Sequence, residues 1–311
     1  MEVVIKAEGL SRHFGSVKAV DNISFTVEKG ELFGFLGVNG AGKSTTINML
    51  CTILKPTAGR VEICNLELGK RDMEIRKKIG VVYQNNCLDD RLTVKENLFT
   101  RGALYEKSSG HLAENIARIV EILELSDVYK RRFGKLSGGQ KRRCEIARAL
   151  IHTPDILFLD EPTTGLDPAT RKKVWECLQK LRREEEMTIF LTTHYMEEAA
   201  RASHIAVMDA GKIREYGTPF SLKETYAKDK LRLVPQKGKA LELEAALEKM
   251  GLSVRKKEEY LVVSLSDSLA ALPVLSATEN LLEGFEMIQG SMDDVFLHVT
   301  GKTAEEGKEI S

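Results

Sequence analysis

The sequence predicts an α/β protein built on a parallel sheet, followed by a smaller α+β module. First, a short apolar run at residues 31–36 is followed by a glycine-rich loop and then by helical spacing. Second, two further apolar runs, at 156–159 and 188–191, end in polar side chains, as buried parallel strands do at the sheet edge where ligands bind. Third, the pattern changes after a polar stretch at 223–230, where shorter strand and helix signals begin.

The composition limits the class of protein. The chain has 311 residues, enough for one large domain or two smaller ones, and a hydrophobic content of 42% can fill a sizeable core. Its 46 basic and 46 acidic residues balance, so overall charge gives no reason to expect a nucleic-acid partner. Five cysteines without a C-x-x-C pair indicate a reduced, intracellular protein.

The sequence also bears on membranes and secretion. No apolar run approaches the ~18 residues that cross a bilayer, and the first residues lack a signal-peptide pattern. We therefore expect a soluble chain, for which any role at a membrane requires a partner.

Two strand signals precede the glycine-rich loop. Residues 3–7 alternate weakly and predict an edge strand, and residues 24–27 predict a second strand that ends before Gly30. Between them lies Phe14. On its own this aromatic is typical of a core residue, although a ring at this place could also stack on a nucleotide base.

The glycine-rich loop at residues 37–44 reads G-x-x-x-x-G-K-S, the pattern of a phosphate-binding loop. Its glycines allow the backbone to approach phosphates closely, and successive N–H groups and the helix N-terminus face the anion. Lys43 would reach the β- and γ-phosphates, and the Ser44 hydroxyl would ligate Mg²⁺. The alternative is a chance match on a glycine-rich turn, which the later motifs disfavour.

The next stretch mixes strand and helix signals. Residues 60–63 and 79–83 predict strands, and Gln84 follows the second of them, where a glutamine is usually a solvated loop residue. Residues 92–127 have apolar side chains recurring at three and four, so they predict helical structure.

Residues 136–140, Leu-Ser-Gly-Gly-Gln, are the second informative stretch. Two adjacent glycines precede an amphipathic helix that Ser137 can cap, and the N-terminus of that helix is again a favourable place for an anion. The simpler alternative is an ordinary capped loop. The basic residues 141–143 predict a solvated helix face rather than a nucleic-acid contact.

Residues 155–160 predict a buried strand that delivers two carboxylates at its end, Asp160 and Glu161. Asp160 is placed to hold Mg²⁺, directly or through water, and Glu161 to orient or deprotonate an attacking water. Two carboxylates at a buried edge are costly without a metal or a basic partner, which argues against a purely structural role.

A buried strand at residues 188–191 leads into hydroxyls and His194. A lone histidine is more often structural, but after three nucleotide motifs a γ-phosphate contact is the better hypothesis. Two stretches, 205–208 and 213–216, then flank a hairpin signal at 209–212.

Together these motifs resemble the ATP-binding subunit of an ABC transporter, over residues 1 to about 222. The resemblance is carried, in order, by Gly37–Ser44, Gln84, Leu136–Gln140, Asp160–Glu161, Gly165–Asp167 and His194. It implies a P-loop NTPase of the ABC ATPase type, with a helical subdomain at about 86–152 and an antiparallel β subdomain.

The resemblance also implies roles for individual residues. The ATP-binding set would be Phe14, stacked on adenine, with Gly37, Asn39, Gly40, Ala41, Gly42, Lys43, Ser44 and Thr45. The metal set would be Ser44, Gln84 and Asp160, and the catalytic set Glu161 as base with His194, Gln84 and Lys43. Phe14 stands where tyrosine is commoner, and Val38 where proline is common. Neither departure removes a phosphate ligand.

Further implied roles concern the facing subunit of a dimer. Leu136, Ser137, Gly138, Gly139 and Gln140 would form the signature that contacts ATP bound to the opposite subunit. Asp167 would lie in the dimer contact. Two subunits, as a homodimer or a pair of different ATPase subunits, would then enclose two ATP molecules with Mg²⁺.

The stretch 138–171 resembles the drug-resistance branch of ABC exporters, whose membrane partners are of the ABC-2 type. This implies an ATPase that powers export through an integral membrane permease and lies in the cytoplasm, peripherally on the inner face of the cell membrane. The alternative is a soluble ABC ATPase acting in cluster assembly or other non-transport work. A cassette that only binds ATP is disfavoured by Glu161 and His194.

The sequence after the predicted ATP-binding domain (1–222) has a different pattern, which predicts a separate module. A polar linker at 223–230 precedes an accessory α+β module at 231–301. Its predicted strands are 231–234, 252–254, 261–265 and 285–288, and its predicted helices are 241–250 and 269–282, the latter open to a break at Pro273. This order, β-α-β-β-α-β, is ferredoxin-like. Residues 293–301 resemble the ending of the same exporter branch, and we expect residues 302–311 to form a disordered tail.

Overall fold

The computed structural model describes residues 2–106 and 108–301. The predicted tail at 302–311 lies outside these residues. The chain divides into two units, one reaching to Thr218 and the other beginning at Pro219, and each is described by itself. Within the described residues, no helix combines the length and apolar character needed to cross a membrane.

The first unit contains an antiparallel sheet in the order β2-β1-β4-β5. Its strands are β1 (Val3–Phe14), β2 (Val17–Glu28), β4 (Ala58–Ile63) and β5 (Leu66–Glu67). The prediction of an edge strand at 3–7 is wrong, because β1 pairs with β2 on one side and with β4 on the other. Weak alternation reports which face of a strand is buried, but it does not report whether both edges are paired.

The second sheet of this unit has six strands in the order β10-β9-β3-β8-β7-β6. They are β3 (Leu32–Leu36), β6 (Ile79–Val82), β7 (Ile156–Asp160), β8 (Thr188–Thr193), β9 (His204–Asp209) and β10 (Lys212–Gly217). The five strands from β9 to β6 pair in parallel, and β10 is antiparallel to β9. The carboxyl ends of β3, β7 and β8 therefore meet at one edge, as the sequence predicted.

The predicted hairpin between β9 and β10 is confirmed. Ala210 and Gly211 form its turn and both have positive φ, 49° and 77°, as a two-residue turn between twisted strands requires.

Seven helices accompany these sheets in the described part of the first unit. They are α1 (Lys43–Leu50), α2 (Asp72–Lys78), α3 (Val94–Gly102), α4 (Ser109–Ile122), α5 (Gly138–Leu150), α6 (Pro168–Glu184) and α7 (Met196–Ala199), with a 3₁₀ turn at Phe133–Lys135. The helical stretch predicted over 92–127 is thus two helices. A Cβ at Gly102 would lie 2.3 Å from Leu112, so the end of α3 packs directly on α4, which Ser108 caps.

Aromatic rings join the two sheets of the first unit. Phe25 of β2 lies against Phe33 and Phe35 of β3, with ring centroids 5.7 and 5.1 Å apart. Phe190 of β8 extends the cluster, 5.2 Å from Phe33. These contacts hold β3 and β8 rigidly, and the site lies at the ends of these strands.

The second unit has the predicted ferredoxin-like order. Its strands are β11 (Asp229–Pro235), β12 (Val254–Lys256), β13 (Leu261–Leu265) and β14 (Leu282–Ile288), and its helices are α8 (Pro219–Tyr226), α9 (Ala240–Lys249), α10 (Ala271–Thr278) and α11 (Met292–Thr300), with 3₁₀ turns at Ser268–Ala270 and Glu279–Leu281. The strand order is β12-β13-β11-β14, with every pair antiparallel. This confirms the β-α-β-β-α-β prediction.

One detail of this unit differs from the expectation. Residues 223–230 were expected to be a linker, but they contain the second half of α8 and the beginning of β11. Leu222 is buried, so this segment packs as a helix instead of remaining a solvated linker. The helical stretch predicted over 269–282 is confirmed, as a 3₁₀ turn, α10 and a second 3₁₀ turn that together cover 268–281. Pro273 lies in the first turn of α10, where its missing N–H is not needed, and does not break the helix.

Candidate functional site

The backbone conformation and close packing of the 37–44 loop require glycine at three positions, 37, 40 and 42. Gly40 and Gly42 have φ of 79° and 105°, a region that other residues rarely adopt. A Cβ at Gly42 would lie 2.4 Å from the carbonyl oxygen of Ala19, and one at Gly37 would lie 2.6 Å from that of Met208. The loop therefore runs from β3 into α1 along a path that side chains would block.

Lys43 begins α1 and is 4% exposed. Its Nζ donates to the carbonyl oxygens of Gly37, at 2.7 Å, and Val38, at 3.1 Å. It also lies 3.4 Å from Oε1 of Glu161. Burial lowers the pKa of Lys43, and the carboxylate of Glu161 opposes that shift. The loop lysine and the predicted base are thus an ion pair in this structure.

Ser44 and Asp160 also meet. The Ser44 hydroxyl donates to Oδ1 of Asp160 at 3.1 Å, and the Thr192 hydroxyl donates to the same oxygen at 2.6 Å. These are hard oxygen ligands of the kind that Mg²⁺ binds, so the residues present fit the predicted metal ion. Thr192, the partner that orients Asp160, was not among the predicted site residues.

Glu161 directly follows β7 and has a φ of 45°, which is unusual for a residue other than glycine. Its N–H lies 3.2 Å from the carbonyl oxygen of Thr192 and 3.1 Å from the hydroxyl of the same residue. Its Oε2 accepts from Thr164 at 3.2 Å. Thr192 therefore binds the backbone of Glu161, and Thr164 binds its carboxylate.

The charge state of Glu161 follows from its neighbours. Nδ1 of His194 lies 3.3 Å from Oε2 of Glu161, within ion-pairing distance though not aligned for a hydrogen bond. Burial acts to raise the pKa of Glu161, but His194 and the charge of Lys43 outweigh it and lower this pKa to about 2. The carboxylate is therefore ionised at any physiological pH.

Two further predicted site residues, Gln84 and Phe14, are exposed. Gln84 is exposed on the loop after β6. Phe14 ends β1 with 45% of its surface exposed, and the Arg12 guanidinium lies 4.6 Å from the centre of its ring. A ring that already accepts a flat cation can accept another flat π-system on an open face, so adenine stacking stays a prediction.

The signature residues lie at the start of α5, which begins at Gly138 and has Ser137 as its N-cap. The Ser137 hydroxyl accepts from the N–H of Gln140, and the Gln140 side chain accepts from the N–H of Ser137, so the two residues cap this helix. Ser137 and Gly138 are exposed, whereas Gly139 is buried. A Cβ at Gly139 would lie 2.0 Å from Cγ2 of Thr170, so this glycine permits α5 to contact α6.

The remaining predicted residues differ in burial and in their local contacts. The Asp167 carboxylate accepts from the N–H of Thr170 at 3.0 Å and so caps α6. Leu136 and Ala41 are buried, Asn39 is exposed, and Thr45 is half-buried in the first turn of α1. The roles proposed for these residues toward ATP and a facing subunit stay predictions.

The prediction for Arg142 is wrong. The basic residues 141–143 were predicted to form a solvated face, but Arg142 is 6% exposed and donates to main-chain carbonyl oxygens beside Glu161 and Gln84. The signal was its spacing, because 142, 146 and 149 share one face of a helix and the last two are apolar.

Sequence reasoning also passed over Glu198, which is 1% exposed. Its carboxylate accepts from the Thr193 hydroxyl at 2.6 Å, from Nε1 of Trp175 at 3.2 Å, and from the Thr163 hydroxyl. Thr163 lies two residues after Glu161, and Thr193 immediately precedes His194. A buried carboxylate thus joins the segments that carry the two predicted catalytic groups.

The sequence and the fold are similar to those of known proteins. A family model described as "ABC transporter" matches residues 20–164. The daunorubicin/doxorubicin resistance ATP-binding protein DrrA of Streptomyces peucetius is 35% identical over 97% of this chain and 94% of its own. The Nod factor export ATP-binding protein I of Rhizobium sp. (strain N33) is 43% identical over 72% of this chain and 74% of its own.

A solved structure extends the likeness to three dimensions. The ATP-binding cassette MJ0796, in a dimeric post-hydrolysis state bound to ADP and Pi, is 29% identical, with a TM-score of 0.62 over 69% of this chain and 98% of that one. The shared part is an ATP-binding cassette, and the similarity to DrrA reaches beyond it through the second unit.

Proposed function

Because the chain belongs to the family of ABC transporter ATP-binding proteins, we propose that it hydrolyses ATP to power export through a separate integral membrane protein. The chain is an ATPase of this family and binds nucleotide. The observation that carries the catalytic part is the meeting of Lys43, Ser44, Asp160 and Glu161 at the carboxyl edge of the parallel sheet.

Each of these residues has a distinct proposed task. Lys43 holds the β- and γ-phosphates, and Ser44 and Asp160, with Gln84, hold Mg²⁺. When bound, the metal ion would neutralise charge on the phosphate oxygens. His194 contacts the γ-phosphate from the end of β8.

The low pKa of Glu161 fits an initial role of orienting water, since a group with a pKa of about 2 is a weak base. Phosphate oxygens compete for Lys43 and bring negative charge close to Glu161, which raises the pKa of the carboxylate. Glu161 would therefore become a stronger base when ATP is present.

The export part of the proposal is supported by the relatives. DrrA is named for drug resistance and matches both units of the chain, and the Nod factor protein is named for export. We propose an integral membrane permease of the ABC-2 type as partner, a pair of ATPase subunits that share two ATP sites, and a peripheral position on the inner face of the cell membrane. The alternative is a soluble ABC ATPase in cluster assembly or other non-transport work.

The test is reconstitution with a partner. The chain and its Glu161→Gln variant are each co-expressed with an ABC-2-type membrane protein of the same organism and compared with either protein alone. We expect the chain to sediment with membranes only alongside the partner, and the partner to change the ATPase rate. Inside-out vesicles should then accumulate a substrate with ATP, and the Glu161→Gln complex should assemble without transporting.

Two results would contradict the proposal. One is equal membrane binding without any partner protein. The other is an ATPase that ignores every membrane partner tested but forms a complex with a metal-cluster scaffold protein, which would favour the alternative.

A further inference from the structure

The buried guanidinium of Arg142 binds three main-chain carbonyl oxygens. Its Nε donates to the oxygen of Pro162 at 2.6 Å, its Nη2 donates to that of Asp160 at 3.0 Å, and its Nη1 donates to that of Tyr83. A cation removed from water requires such partners, and the planar fork of arginine can reach several at once. One side chain on α5 therefore joins two loops that are far apart in sequence.

The first of these loops carries Glu161. Asp160 and Pro162 are its two neighbours along the chain, and their carbonyl oxygens converge on the same guanidinium. Glu161 itself has a φ of 45°, a conformation that costs free energy and persists only where its surroundings enforce it. Arg142 thus holds the backbone on both sides of the strained residue, and this directs the carboxylate toward Lys43 and His194.

The second loop carries Gln84, which directly follows Tyr83. The same face of α5 also holds the segments on either side of it. Arg148 donates to the carbonyl oxygen of Val81 at 2.7 Å, and Oε1 of Glu145 accepts from the N–H of Leu88 at 2.9 Å. The loop with Gln84 is thus fixed to α5 before and after the glutamine.

We propose that Arg142 is a positioning residue for ATP hydrolysis, which fixes the backbone at Glu161 and at Gln84 to one helix. The first turn of that helix carries Ser137 and Gly138, so a displacement of the signature would move both loops together. This inference rests on the proposed roles of Glu161 and Gln84. Arg142 would act through the three carbonyl groups that it binds, on the backbone of these two loops.

The neighbouring Arg143 supplies a matched control. Its Nη1 donates to the carbonyl oxygens of Leu123 and Glu124, at 2.9 and 2.8 Å, in the segment that follows α4. The Arg143 contact with Leu123 is partly buried and its contact with Glu124 is exposed, whereas Arg142 is 6% exposed. Only Arg142 holds the loops that carry the predicted catalytic residues.

The experiment compares Arg142→Met with Arg143→Met. For each we would measure kcat at saturating Mg-ATP, the dissociation constant of ATP, and urea unfolding. Since a misplaced catalytic group costs roughly 10² in rate, we expect Arg142→Met to lose roughly 100-fold in kcat while ATP affinity changes by less than about threefold. Arg143→Met should lose stability yet keep kcat within about threefold of the parent.

A double variant separates positioning from general destabilisation. If Arg142 acts through Glu161, adding Arg142→Met to Glu161→Gln should cost little more than Glu161→Gln alone in single-turnover hydrolysis. A structural effect independent of Glu161 would instead multiply the two losses.

Arg142→Lys covers the case in which Arg142→Met does not fold, because it keeps the buried charge but cannot reach three carbonyl groups. We expect it to fold and to lose at least about tenfold in kcat.

Full kcat in Arg142→Lys or in a folded Arg142→Met would overturn the inference, and fully multiplicative losses in the double variant would overturn the proposed action through Glu161. Failure of the proposed catalytic role is a separate result. It would appear as near-normal turnover in Glu161→Gln, whatever the Arg142 variants do.

Discussion

Oε1 of Glu161 lies 3.4 Å from Nζ of Lys43, so the predicted base is ion-paired with the lysine of the phosphate-binding loop. Both side chains are largely buried, and each stabilises the charge of the other in a place where a lone charge would be costly. Phosphate oxygens that bind Lys43 must compete with this carboxylate. The pair therefore links nucleotide affinity to the group that acts on water.

Glu161→Gln should consequently bind ATP at least as tightly as the parent, because it removes the carboxylate that competes for Lys43. Hydrolysis should fall by roughly 10²–10⁴, the usual contribution of a positioned base. The variant should also accumulate a closed dimer in Mg-ATP. Equilibrium nucleotide binding, phosphate release and size-exclusion chromatography measure these effects, with the exposed Glu197→Gln as control. Near-normal phosphate release would remove Glu161 from the role of base.

The ionised Glu161 carboxylate should make the free energy of unfolding depend on pH in the acid range. Its pKa is lowered to about 2, against an ordinary value of about 4.3 in an unfolded chain. A lowered pKa contributes stability that is present above about pH 4.3 and is lost as pH falls toward 2, on the order of 2–3 kcal/mol for this shift. Urea unfolding between pH 7 and pH 3 should therefore show a steeper acid decline for the parent than for Glu161→Gln. Parallel declines in the two proteins would contradict the low pKa.

Parts of this fold and site could be predicted because they depend on local sequence. The 37–44 loop needs glycines at fixed positions, and β7 and β8 are apolar runs that end in Asp160 and Thr193. Other features depend on contacts between distant residues. Periodicity marks β1 as half-buried but cannot supply its second neighbour, and the pairing of Lys43 with Glu161 requires the strand order.

The two missed residues differ in this respect. Arg142 could have been identified, because it shares its helix face with Ile146 and Ala149. Glu198 could not, because its three donors come from separate segments of the chain, and no local pattern distinguishes it from the exposed Glu197.

The contrast between Glu198 and Glu197 gives a direct stability test. Glu198→Ala would leave the donors of Thr163, Trp175 and Thr193 buried without an acceptor, at a cost of about 3–5 kcal/mol. Glu197→Ala, one residue away on the exposed side of α7, should cost less than about 0.5 kcal/mol. Urea unfolding measures both variants. Equal losses would show that the buried network does not stabilise the fold.

Removal of the second unit tests the proposed division into an ATP-binding domain and an accessory module. Leu231, Leu243 and Val263 belong to a core within the second unit, and α8 packs on α11. A cut after Thr218 removes this unit whole, whereas a cut at Lys223 would leave half of α8 with an exposed apolar side. We expect the chain ending at Thr218 to keep ATP affinity within about threefold, by fluorescent-nucleotide titration. A folded truncation without ATP affinity would place part of the site in the second unit.

The proposed sharing of each ATP site between two subunits requires a variant that harms only the facing site. Gly139→Asp is unsuitable, because a Cβ there would already lie 2.0 Å from Thr170 and would disturb the contact of α5 with α6 in its own subunit. Gly138 is exposed, and a Cβ there would meet only the end of the Leu166 side chain, at 3.2 Å. Gly138→Asp therefore adds a carboxylate near the phosphates of the facing site at little cost to folding, and Gly138→Ala controls for the added Cβ.

Lys43→Ala should inactivate the site that its own loop builds, with a loss of roughly 3–4 kcal/mol in transition-state stabilisation. Gly138→Asp should inactivate the facing site by repelling the triphosphate. Either homodimer is then inactive, but a mixed dimer carries both lesions in one site and none in the other. Mixing the two inactive proteins should restore part of the ATPase rate, with phosphate release highest near equal amounts.

If crosslinking shows that mixed dimers form and bind ATP, yet phosphate release stays at zero, then either both sites must act together or the shared site is wrong. Crosslinking of one ATP to the 37–44 loop and the 136–140 signature of a single subunit would decide between these two, because it rules out the shared site.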